Sequence, residues 1–216
     1  DISKSGDGNA VLLAISAILQ SDKTEAELTE LLSTINTDIR TDGTLDSTTT
    51  KATLVTAMEY LKTRHIGDVT IRDNIEGRYS NLGVSATIPA FESYAYKLDT
   101  TAPTVDNSSP YNCDCTLSPA LDFSVTFSEI MDETTITTNT SDTSCSGTFQ
   151  VSSDNFATCA EMTGLSFTIS DSYKTFTLDR SESLNGQLTY KFRVTSGATD
   201  LAGNSVSMTA ISFTTQ

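Results

Sequence analysis

The segment Asp38-Ile-Arg-Thr-Asp-Gly-Thr-Leu-Asp46 sets Asp38, Asp42 and Asp46 at the first, fifth and ninth places of a calcium-loop rhythm, with Gly43 at the sixth. Two departures weigh against that chemistry. Arg40 puts a cation where the third-place ligand belongs, and Thr49 stands where a bidentate Glu closes the loop. A helix stopped by Gly43 and followed by an Asp or Ser cap accounts for the same residues without a metal. Asp99 is an isolated carboxylate in the stretch Leu98-Asp-Thr-Thr-Ala-Pro-Thr-Val105, placed to share a cation with a loop beyond it. His65 is the only histidine. It sits with Lys62 and Arg64 at the end of a helical pattern, where a cation complements the helix dipole, and no Ser-His-Asp arrangement is expected of it. Paired carboxylates for glycoside hydrolysis lack a Trp or a readable groove beside them, and no glycine-rich phosphate loop is present. The expectation is a chain without catalytic residues.

Four cysteines, Cys113, Cys115, Cys145 and Cys159, in an acidic chain rich in Ser and Thr read most simply as two disulfides. A bridge within Cys113-Asp-Cys115 would close a small strained ring, so crossed pairing of these two with Cys145 and Cys159 stays open. A four-thiolate zinc site is the alternative, against which the spacing lacks the usual paired Cys motifs.

The elements that must position these residues change character at Pro103, which bars a helix and pushes Ala102 towards extended geometry. Before it, Val11, Leu12, Ile15, Ile18 and Leu19 recur at helical spacing as one apolar face. Thr24 and Glu27 form a capping box for a second helix with the stripe Leu28, Leu31, Leu32, Ile35 and Ile39. Asp46 or Ser47 caps a third helix carrying Leu54, Val55, Met58 and Leu61, and Val69, Ile71, Ile75, Tyr79 and Leu82 mark a fourth that closes at Gly83. An extended strap then runs through Phe91, Tyr94 and Tyr96. Beyond Pro103, period-two runs occupy residues 123–127, 148–151, 165–169, 175–178, 188–194 and 208–213, separated by Ser, Asp, Asn and Gly. The fold class expected is α+β with two domains: a four-helix module over 1–98 and an antiparallel Ig-like β-sandwich over 99–216.

The chain has 216 residues and a formal charge of −15, with 13 basic residues scattered among 28 acidic ones. That balance excludes a phosphate-binding stripe, hence nucleic acid, and disfavours acidic membrane surfaces. It suits calcium-rich or extracellular surroundings. The longest apolar run, residues 10–19, is interrupted by Ser16 and too short to cross a bilayer, so direct membrane insertion is not expected. No basic segment precedes it, so an export signal or lipid anchor is expected ahead of Asp1, and the chain reads as a mature piece of a longer modular protein.

Asp99-Thr-Thr-Ala-Pro103, Ser109-Pro110, Val125-Thr-Phe-Ser-Glu-Ile-Met-Asp132, Tyr190, Asp200-Leu-Ala-Gly-Asn204 and Phe213-Thr-Thr215 resemble the landmarks of bacterial Ig-like domains. The segment Asp7 to Gln20, with Thr24-Glu-Ala-Glu-Leu28 and Tyr79-Ser-Asn-Leu-Gly83, is similar to a small helical module of Gram-negative surface lipoproteins. The resemblance implies that motif loops bring Asp99, Glu129, Asp132, Asp200 and Asn204 towards one end of the sandwich as candidate calcium ligands. Against this stands a reading in which Asp200 and Asn204 hold the turn at Gly203 and Asp132 caps a helical turn. Cys145 to Cys159, which bracket a hairpin through Ser153-Asp-Asn155 and resemble a pattern in relatives, are the preferred disulfide. The function implied is a non-catalytic surface or secreted module for presentation or adhesion, its partner a surface protein or glycan, on the outside of a Gram-negative cell. A carbohydrate-binding accessory of an exported enzyme and a structural spacer are the alternatives. No cofactor is required, with calcium as the candidate ion.

Overall fold

The structure, a computed structural model, describes residues 6–64, 71–112, 114–162, 167–179, 184–207 and 210–216. The chain divides into two units, Asp1–Thr100 and Thr101–Gln216.

In the first unit, α1 (Asp7–Gln20) leads to α2 (Glu25–Asp42), which opens on the expected capping box. The Thr24 hydroxyl accepts from the Glu27 N–H at 3.3 Å, and Glu27 accepts from the Thr24 N–H at 2.8 Å. Gly43 ends α2 in left-handed geometry at φ 87°, which a side chain resists. The acidic residues around it then build the turn into α3 (Thr48–Arg64). Asp38 accepts from the N–H groups of Asp46 and Ser47 at 3.0 and 3.1 Å, and Asp42 from Thr44 N–H at 2.8 Å. The Thr44 hydroxyl and N–H together hold the Asp42 carboxyl below its usual range. The segment with calcium-loop spacing is thus a helix stop and a helix start, and Ser47 supplies the cap by accepting from Thr50 N–H.

Further along, α4 (Ile71–Asn81) leads through a turn to a strap with no regular structure through residue 90. It turns helical in α5 (Glu92–Ala95) and a 3-10 turn, Tyr96–Leu98. The expected start of the fourth helix at Val69 lies outside the described residues. The core forms where α1 packs on α3 and α5, with Phe91, Ala95 and Tyr96 buried. No residue of α4 is fully buried, and polar ties hold it instead: Arg72 to Glu92 at 2.5 Å, and Ile88 N–H to Glu76 at 3.2 Å.

The expected apolar faces need correcting. On α1 the buried residues are Ala10, Leu13, Ala14 and Ile18, whereas Val11, Leu12 and Ile15 are 39%, 48% and 51% exposed. On α2 only Leu31 is buried, with Leu32 and Ile39 outward. On α3, Met58 and Leu61 are buried as expected but Val55 is exposed. Periodicity identifies which side of a helix is apolar, and not which side its neighbours occupy. Two of the four buried residues of α1 are Ala, so the face packed on α3 and α5 is the less bulky one.

The second unit stacks two four-stranded sheets. One runs β1 (Val105–Ser109), β3 (Phe123–Phe127), β6 (Thr175–Leu178), β5 (Phe167–Ser170). The other runs β2 (Asp114–Leu117), β8 (Ile211–Thr215), β7 (Thr189–Val194), β4 (Phe149–Ser152). This is the strand order of an immunoglobulin-type sandwich, antiparallel throughout except that β2 joins β8 in parallel. β2 is only four residues long, Asp-Cys-Thr-Leu, and its partner is the distant β8.

Alternation along β3 and β7 points Phe123, Val125, Phe127, Tyr190, Phe192 and Val194 into one core. The Tyr190 hydroxyl accepts from Asn185 N–H at 3.1 Å, a tyrosine corner. Two residues on, where antibody domains carry a cysteine of the inter-sheet disulfide, Phe192 meets Phe123 of the opposite sheet with ring centroids 5.1 Å apart.

The covalent bond lies elsewhere: Cys145 and Cys159 are joined, tying the loop before β4 to the loop after it. Cys159 N–H donates to Thr143 O at 2.9 Å, and Ala160 N–H to Val151 O at 2.8 Å. Buried Gln150 donates to the carbonyls of Cys145 and Gly147, both at 2.9 Å, and accepts from Arg193, whose guanidinium lies 3.9 Å from the Phe156 ring centroid. Gly147 is irreplaceable there, since its φ is 76° and a Cβ would meet the Thr138 backbone at 2.6 Å. In the chain-entropy model a bridge of this loop length stabilises the folded state by about 3 kcal/mol. Reduction should therefore lower the melting temperature of the sandwich. A Cys145→Ser, Cys159→Ser chain should melt lower from the outset and lose that part of the response to reductant, as read by differential scanning calorimetry with and without it.

Candidate functional site

The five residues expected to share a cation are divided between the units: Asp99 belongs to the first, and Glu129, Asp132, Asp200 and Asn204 to the second. Asp99 follows the 3-10 turn, whose Tyr96 carbonyl accepts its N–H at 2.9 Å. Its carboxylate is only 4% exposed and accepts a hydrogen bond from the Lys62 ammonium, itself 1% exposed, on the last turn of α3. Lys62 also reaches Glu59 at 3.2 Å. The sequence placed Lys62 simply among the basic residues near a helix end; the fold makes it the buried cation of Asp99. Burial alone pulls the lysine pKa down, but the bond to Asp99 and the charges of Glu59 and Asp99 outweigh it and hold the ammonium above its ordinary value.

In the second unit, Glu129 lies in the bend after β3, and its carboxylate comes within 4.8 Å of that of Asp200. Asp200 is buried, and its Oδ1 accepts from the N–H groups of Ala202 and Asn204, each at 2.8 Å. Its Oδ2 accepts from the Asn204 side-chain amide at 2.9 Å. Asn204 therefore turns its nitrogen, and not its oxygen, to Asp200, and the pair closes a turn over Gly203 at φ 91°. Asp132 points into its own 3-10 turn, accepting from Thr134 N–H at 2.9 Å and Thr134 Oγ1 at 2.6 Å. Glu129 and Asp200 are thus brought together, while Asp132 serves a cap and Asn204 a turn.

Of the cysteines, Cys145 and Cys159 are bonded to each other, which removes two of the four thiolates a zinc site needs and the crossed pairing with them. Cys113 and the side chain of Cys115 lie outside the described residues, as does His65. Sequence reading missed Lys62, Gln150 and Arg193. Each acts through a partner distant in the chain, and none sits in a local motif that would single it out.

Removing Lys62 leaves a buried carboxylate without its cation. Lys62→Met should destabilise the helical unit by about 3 to 5 kcal/mol, and adding Asp99→Leu should recover much of the loss. Because the folded pKa is raised, the stabilisation is complete below the ordinary lysine value of 10.5 and is lost as pH climbs through the higher folded value. Thermal melts followed by helical circular dichroism should be insensitive to this group at neutral pH and show its loss only in strong alkali.

The model of the bacterial Ig-like domain matches residues 99–215. No curated protein matches the chain. Among solved structures, the N-terminal part of the bacterial S-layer protein SbsC is similar at 17% identity and a TM-score of 0.37, over 96% of this chain and 54% of that one. A longer crystal structure of the same S-layer protein is similar at 17% identity and a TM-score of 0.36, over 95% of this chain and 31% of that one. The chain thus spans from about a third to about half the length of these structures. The Ig-like match covers more than half of the sequence and coincides with the sandwich, and the chain belongs to the bacterial Ig-like domain family.

Proposed function

We propose that this chain is a non-catalytic module displayed on the outer surface of a Gram-negative cell, within a longer lipid-anchored protein. In this reading its Ig-like unit presents or engages a host, matrix or microbial surface ligand through many copies. The observation that carries the reading is the Ig-like family match over the whole sandwich. Support comes from the Cys145–Cys159 bond, since disulfides persist in oxidising compartments. The charge of −15 favours solubility and disfavours contact with anionic lipid. Asp38, Asp42, Asp132 and Asp154 each bond neighbouring hydroxyl or N–H groups that hold turns, which is structural work. Among the described residues, no helix is long and apolar enough to cross a membrane. The resemblance of the helical module to those of surface lipoproteins points the same way.

Labelling of intact cells with a membrane-impermeant reagent should modify the protein, and protease shaving should remove it; a pool reached only after lysis would overturn the reading. Purified chain clustered on beads should bind glycan or matrix arrays with an apparent affinity roughly 100- to 10,000-fold above that of monomer. Tight monomer binding to one sugar would instead favour a carbohydrate-binding accessory, and hydrolysis by monomer would make it an enzyme.

Calcium enters this proposal at Glu129 and Asp200. Extracellular sites bind at about 0.1 to 1 mM, so a few millimolar calcium would add roughly 1 to 2 kcal/mol. Melts in calcium and in chelator should separate by that amount and converge in Asp200→Ala; coincident wild-type curves would remove the ion from the reading.

A further inference from the structure

We propose that α1 is a homotypic contact, through which one copy of this chain pairs side by side with a second. Placed at 100° per residue, Gly8, Val11, Leu12, Ile15 and Leu19 fall within one arc of about 100°, while the packed residues Ala10, Leu13 and Ala14 lie on the other side, with Ile18 at the border between the two. The helix therefore turns its bulkier aliphatic side to water: Val11, Leu12 and Ile15 are exposed and Leu19 half-buried. A helix apolar on both sides is normally covered on both. Gly8, exposed and with nothing within 4 Å of where a Cβ would stand, lets another backbone come close at one end of the stripe.

Charge selects the occupant. Asp7 is the only charged residue of α1, whereas α2 carries six, α3 four and α4 four. Two chains of charge −15 repel wherever acidic surfaces meet, and α1 is the helical face on which they can approach with almost no charge between them. A lipid surface is a poorer fit, because interfacial helices carry Lys or Arg beside the apolar face and α1 has neither. A strongly charged protein partner would find nothing on the stripe to pair with.

Area sets the strength. One helical stripe against another falls well short of the roughly 1,200 Å² that stable interfaces bury, so the contact is weak in dilute solution. It becomes effective at the millimolar local concentrations that tethering gives. A two-fold pairing suits it, since one stripe then serves both partners. The inference deepens the surface-display reading by naming a partner, and it rests on that reading only for the crowding that makes a weak contact matter.

Sedimentation velocity of the full chain, from about 10 μM to about 1 mM, should show a reversible monomer–dimer shift, the range being that of weak contacts that clustering strengthens. Leu12→Glu with Ile15→Glu should weaken pairing at least about tenfold. Both side chains are already in water, so the helical circular dichroism should be unchanged; Leu12→Ser with Ile15→Ser provides a gentler second pair. Wild type that stays monomeric to the top of the range, or variants that pair as well as wild type, would overturn the proposal. So would co-flotation with phosphatidylcholine vesicles that the same substitutions abolish, which would make lipid the occupant. Surface labelling of cells is a separate readout: its failure would end the display reading while leaving pairing in solution to stand.

Discussion

A lysine ammonium that touches almost no water must be met by an anion, and in the helical unit Asp99 is that anion. The pair joins the last turn of α3 to the point where the chain leaves the unit. The path from α4 must then bring Asp99 back to α3, which the strap does by turning helical at α5 and tightening through Tyr96–Leu98. Phe91, Ala95 and Tyr96 are buried along the way, and α1 packs on α5. Seen from this pair, the small inward residues of α1 and the modest contribution of α4 follow: what closes the unit is the return strap, held by a charge.

The sandwich uses a different device. Its centre is aromatic, with Phe123 and Phe192 in contact where related folds place a covalent bond, and Phe149 and Phe213 continue the cluster to either side. The disulfide and the polar knot around Gln150 fasten the loops on either side of β4. Ser, Thr, Asp and Asn are abundant because they supply turns and caps, and Asp154, bonded by Thr158 and Ser152, has its pKa lowered to about 2 by those donors.

What was legible in the sequence was what is determined locally. The Thr24–Glu27 box, the Gly43 stop and the alternation of β3, β6 and β7 each follow from a few adjacent residues, and each appears where expected. The outward face of α1 was misread because its aliphatic residues are larger than those facing in. β2 was missed because the short run Asp-Cys-Thr-Leu was read for its cysteine, and its partner β8 lies nearly a hundred positions later. The candidate carboxylates were legible by type, whereas the bond of Asp99 to Lys62 and the turn of the Asn204 nitrogen to Asp200 depend on distant or folded-state geometry.

The parallel pairing of β2 with β8 has a mechanical meaning. β2 lies near the start of the sandwich and β8 at its end, with Asp114 beside Phe213, Leu117 beside Thr215, and the Gln216 N–H bonded to the Leu117 carbonyl. Tension drawing these two strands apart along their common direction loads their hydrogen bonds side by side, so they must fail together. An antiparallel hairpin pulled open at its ends instead peels one rung at a time. Such a shear clasp would let the module carry load between these two strands while its core stays shut.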